Sequence, residues 1–76
     1  MTEATKLAAA AGSPDPVVGL RAVAALRELL ERLEALNVDN ARAQGWSWQE
    51  IANSLGVSRQ AVHKKHAAGR LTRRRG

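Results

Sequence analysis

The chain has no Cys, no Phe and no Tyr, and only two Trp and two Pro among its 76 residues. Without Cys, neither a disulfide nor a thiolate metal site can staple the fold, which must rest on packing; a reducing compartment suits that composition. The longest purely apolar run near the N-terminus, Leu7 to Ala11, is far short of a secretory core or a membrane span and has no clear basic lead. A soluble, cytoplasmic protein with no membrane partner is the expectation. A chain this short holds one small domain and buries a smaller share of its surface than a larger one, so a second copy is a natural source of missing core.

Acidic groups are nearly missing from residues 41–76, where Glu50 stands alone against eight Lys and Arg. Residues 1–40 carry six acidic groups against Lys6, Arg21, Arg27 and Arg32, so the net +5 hides a surplus of seven in the second half and a deficit of two in the first. A cationic half attracts polyanions, nucleic acid foremost and an anionic membrane surface second, and charge alone does not choose between them.

Residues 1–15 show little periodicity in an Ala-rich stretch and are expected to form a disordered arm or a frayed helix. Asp15 then suits an N-cap and Pro16 the first helical position. From Val17 on, Val18, Ala22, Val23, Leu26, Leu29, Leu30, Leu33 and Leu36 fall on one stripe roughly 140° wide at about 100° per residue. This predicts a long amphipathic helix over 16–44. The stripe packs on its own chain, forms a dimer seam, or both; few large apolar residues remain to cover it, which favours a homodimer through Val18, Ala22, Leu26, Leu29, Leu33 and Leu36. The pattern loosens at Asn37–Asn40, where a kink or break is open, and stops at Gly45.

Both Trp residues open the stretch GWSWQEIANSLGVSRQAVHKK, residues 45–65, whose other end is crowded with cations. Ser47 and Glu50 read as a capping box, and Trp46 before the cap as a staple onto Ile51. Trp48, Ile51, Ala52 and Leu55 have the spacing of a buried helix face. Gly56 ends that helix, Val57 turns inward to staple onto Val62, and Ser58 caps a further helix closed by Gly69. Two capped helices joined by a short Gly-containing turn match the helix-turn-helix signature.

On these residues the chain resembles the helix-turn-helix superfamily of small bacterial transcription regulators, and IANSLGVSRQAVHKKH is similar to recombinase-type and sigma region 4-like units. Its Ala-, Leu- and Arg-rich composition suits an actinobacterial source. The resemblance implies an all-α fold, with a helix-turn-helix unit over 45–69 following the long helix and a basic tail at 70–76. It also implies a double-stranded DNA partner, the second motif helix lying in the major groove. Projection of that helix puts Ala61, Val62, Lys65 and Ala68 inward, with Arg59, Gln60, His63, Ala67 and Arg70 outward and Lys64 at the margin.

Arg59 is then placed to contact guanine and Gln60 adenine, pairings worth about 1–3 kcal/mol of discrimination each, with His63 as a third groove contact. A phosphate contact for Arg59 and plain solvation for Gln60 are the alternatives. Lys64 and Lys65 fall to phosphates, Lys65 laying its stem across the apolar side. Ser47 and Ser58, besides capping, can offer hydroxyl and backbone N–H groups to phosphate. Arg70, with Arg73, Arg74 and Arg75 of the tail, follows the backbone or enters the minor groove, the alternative being a solvated tail.

His63 and His66 lie near one turn apart but lack a third ligand, so no metal and no cofactor is expected. The Ser and Thr hydroxyls have no paired base, so an enzyme is not expected either. The leading expectation is a dimeric, sequence-specific, nucleoid-associated regulator. Behind it stand a low-specificity nucleoid or mobile-element accessory protein and, in another class, an adaptor that engages a protein through the Leu stripe.

Overall fold

A computed structural model describes the backbone of residues 2–75 and the side chains of residues 2–67. The described residues form four helices and no strand: α1 (Glu3–Ala11), α2 (Pro16–Ala43), α3 (Trp48–Leu55) and α4 (Arg59–Arg75). The all-α expectation holds. Among the described residues no helix is long and apolar enough to cross a membrane. The chain divides into two compact units, Met1–Glu34 and Ala35–Gly76, and α2 contributes residues to each.

In the first unit, residues 3–11 form α1, the helical one of the two alternatives open for this stretch. The Thr2 hydroxyl accepts the Thr5 backbone N–H at 3.1 Å and caps the helix, and the four Ala that follow Leu7 are the best helix formers. A nine-residue helix is marginal alone. Leu7, Ala10 and Ala11 are half-buried at i, i+3, i+4 spacing. A Cβ added at Gly19 would meet the carbonyls of Ala11 and Ser13 at 3.5 Å, an ordinary van der Waals contact. Asp15 caps α2 as its sequence context implies, its carboxylate accepting the Val17 N–H at 3.0 Å with Pro16 at the first helical position.

α2 runs unbroken through Asn37–Asn40, where a kink or break was open. Val38 explains it. This side chain is only 2% exposed, and burying a Val gains about 1.5–3 kcal/mol, enough to offset the roughly 2 kcal/mol that Asn37, Asp39 and Asn40 cost in helix propensity. The helix ends in a Schellman arrangement: Gly45, at φ +89°, donates to the Arg42 carbonyl, and Trp46 donates to that of Ala41.

The core of the second unit consists of Val38, Ile51, Ala52 and Val62, with Ala41 and Trp48 packed at its margin and His66 also buried. Ala52 is fully enclosed, so the approach of α4 to α3 depends on a side chain of one carbon. Three sequence expectations fail at the rim. Leu55 is 41% exposed and Val57 is 48% exposed rather than buried, and Trp46 is exposed rather than stapled inward. The cause is size: α3 has eight residues and the core gathers around Ile51 and Ala52, so the end of its last turn and the residues flanking the helix lie past its edge. α4 also continues past Gly69 to Arg75, where a helix end was expected; Gly lowers helix propensity by about 1 kcal/mol without forbidding the conformation.

The capping box of α3 is complete. The Ser47 N–H donates to the Glu50 carboxylate at 2.9 Å, and the Glu50 N–H donates to the Ser47 hydroxyl at 3.1 Å. The Ser47 backbone N–H first, and the Ser47 hydroxyl second, hold the Glu50 carboxylate below its ordinary 4.5. Because the folded value is the depressed one, the box stabilises fully above 4.5 and loses its contribution as pH falls through the folded value. Glu50→Gln keeps the geometry and removes the titration. Its thermal midpoint should fall less than that of the parent between about pH 5 and about pH 3; equal falls would show that Glu50 is not coupled to folding.

Candidate nucleic-acid interface

α4 starts at a cap: the Ser58 hydroxyl accepts the Ala61 N–H at 3.1 Å. The preceding turn depends on Gly56, whose φ of +73° is open to Gly and strained for other residues. The Gly56 and Val57 N–H groups both donate to the Ala52 carbonyl, satisfying the end of α3. α3 and α4 are thereby joined by Gly56, Val57 and Ser58 and packed on each other.

Along α4, Val62 and His66 are buried and Ala67 is half-buried, while Arg59, Gln60, Ala61, His63, Lys64 and Lys65 are exposed. This corrects the projected face, which is turned by about one residue, or about 100°. Ala61 and Lys65 do not face inward, and Ala67 does not face outward. His66 takes the inward position one turn after Val62, as a compact imidazole is cheaper to enclose there than a Lys ammonium. Gln60 and Lys64, one turn apart, lie opposite the buried line, so Lys64 stands at the centre of the outward face and not at its margin. The sequence of α4 contains no acidic residue.

His63 is exposed, yet its ring is engaged. It meets the Trp48 indole edge-on, with centroids 5.1 Å apart and planes at 85°. The guanidinium of Arg42 lies 4.8 Å from the same indole centroid, and Arg42 also donates to the Trp46 carbonyl at 2.7 Å. One indole thus touches a residue of α2 and a residue of α4. Val38 and Arg42 are the neighbours of this unit that sequence reasoning missed; Val38, Ala41 and Arg42 carry an i, i+3, i+4 spacing, but Asn37, Asp39 and Asn40 hide it. On the exposed side of α3, the Gln49 amide donates to Asn53 at 2.9 Å.

The other expected positions divide. Ser47 and Ser58 are exposed at helix starts and each is engaged in capping. The side chains of Arg70, Arg73, Arg74 and Arg75, like that of Ala68, lie outside the described residues. Of the expected dimer positions, Val18, Leu33 and Leu36 are exposed, and Leu26 and Leu29 are half-buried. Ala22 is buried within its own chain and is therefore not open to a partner. Among the described residues, no group of three His, Cys, Asp or Glu is placed to hold a metal ion. Comparison of the chain with protein-family models, curated proteins and solved structures finds no match.

The indole contacts make a stability prediction. Trp48→Ala should lower unfolding stability by about 2–4 kcal/mol, and Trp48→Phe, which keeps an aromatic face for Arg42 and His63, by less than half of that. Denaturant midpoints measure both. An alanine variant as stable as the parent would show that Trp48 does not anchor the unit.

Proposed function

We propose that the chain is a non-enzymatic, sequence-specific DNA-binding protein that acts in transcription regulation. In this reading α3 and α4 form a helix-turn-helix unit, α4 lies in the major groove, and a homodimer reads two half-sites. The observation that carries it is an acid-free helix, capped and set by a Gly turn, whose outward line is Gln60 and Lys64. The positive surplus of residues 41–76 supports the same polyanionic partner.

The roles follow from donor and acceptor geometry. The Gln60 amide can both donate to and accept from adenine, a pattern only the major groove presents unambiguously. Arg59, in the first turn of α4, is suited to guanine or to the adjoining phosphate. Lys64 reaches a base edge or phosphate from the centre of the face. His63, held by Trp48, supplies a ring of limited freedom at its side, so less rotamer entropy is lost on contact. The N-termini of α3 and α4, capped by Ser47 and Ser58, suit phosphates through their backbone N–H groups and dipoles. Arg70, Arg73, Arg74 and Arg75 add charge without sequence information, and this favours a second reading, low-specificity binding to the backbone.

Gln60→Ala separates the two. Sequence-specific binding predicts a loss of about 5- to 150-fold on a preferred duplex, the equivalent of about 1–3 kcal/mol, and little change on random duplex. A uniform weak loss on both supports the low-specificity reading, and no duplex binding at low salt rejects both. Removal of residues 73–75 should flatten the dependence of log K on log salt by up to about 3 units.

A further inference from the structure

Arg42, in the last turn of α2, is half-buried and held at two points. Its guanidinium lies 4.8 Å from the Trp48 ring centroid, and its Nη1 donates to the Trp46 carbonyl at 2.7 Å. Nη2 and Nε carry further N–H donors, in a planar fork whose geometry matches the oxygens of a phosphate. Because the fork is already braced, little rotamer freedom remains to be lost when it meets an anion. Glu50, the one acidic residue among residues 41–76, is committed to the Ser47 N–H and not to Arg42.

The place of Arg42 indicates the anion. Helical spacing puts His63 between the outward line of Gln60 and Lys64 and the buried line of Val62 and His66, so it marks one flank of α4. On that flank the Trp48 indole stands 5.1 Å from His63, and Arg42 lies against the same indole. Arg42, Trp46, Trp48 and His63 all belong to the second unit. A major groove is about 12 Å wide, and a helix with its side chains fills about 10–12 Å, so each flank of a seated helix meets a phosphate strand. The strand on the His63 flank passes the side from which Trp48 and Arg42 approach α4.

We infer that Arg42 is a further DNA contact, supplied by α2 from outside the two-helix unit: held on Trp48 beside His63, its guanidinium takes a phosphate of the strand along that flank of α4. The inference rests on the DNA-binding reading and adds a residue to it. Binding of a random-sequence duplex by the full chain, followed across a range of salt, tests it. Arg42→Gln should weaken binding and flatten the dependence of log K on log salt by about 1 unit, the share of one phosphate, whereas Arg42→Lys, which keeps the cation, should retain the parent's slope. An unchanged slope in Arg42→Gln would leave Arg42 only a brace for Trp48 and overturn the inference, and so would an equal flattening in Arg42→Lys. In the parent, where no substitution disturbs the fold, the Arg42 Nε–H resonance should shift on titration with the same duplex; a resonance that stays fixed while the duplex binds overturns the inference too. A parent chain that binds no duplex removes the DNA-binding reading and this contact with it, whereas a parent that binds beside an unchanged slope in Arg42→Gln removes the contact alone.

Discussion

The second unit depends on how one indole is held. Trp48 lies at the margin of a core with only Val38, Ile51, Ala52 and Val62 at its centre, and it meets Arg42 on one neighbouring helix and His63 on another. In so small a core the burial of each side chain is a large part of the total, and a rim contact that ties three helices replaces apolar volume the chain does not have. Ala52 is the complement of this arrangement. Its small side chain lets α4 come close, and the indole then closes the edge that closeness leaves open.

This constraint also sets the face that α4 shows to solvent. Once Val62 and His66 turn inward, Gln60 and Lys64 must turn outward, because positions two residues from Val62 on either side lie across the helix. The residues proposed to touch DNA are therefore held by residues that do not touch it. Ser58 fixes the start of the helix, Gly56 its entry, and Trp48 the side from which His63 projects.

Local signals were the most legible in the sequence. Asp15 and Pro16, Gly45, Gly56, Ser58 and the Ser47–Glu50 box each act through a backbone group within a few residues, and each stands where it was expected. What failed was the depth of burial. Leu55 and Val57 carry the right spacing but lie past the edge of a core smaller than the pattern implies, and Val38 carries a core role under polar neighbours. The face of α4 was misjudged by one residue because Ala61 and Lys65 bracket Val62 with a spacing as regular as that of His66; only the packed neighbours decide between them. For residues 3–11 the sequence leaves a disordered arm and a frayed helix both open, because an Ala-rich stretch carries little periodicity; the structure has the helix.

The central claim is that the outward face of α4 reads base sequence. Selection of bound molecules from a random duplex library tests it most directly. The account predicts an enriched site made of two inverted half-sites, as a two-fold pair of α4 helices requires. Bound molecules with no common sequence, recovered under salt conditions where the chain binds tightly, would contradict it.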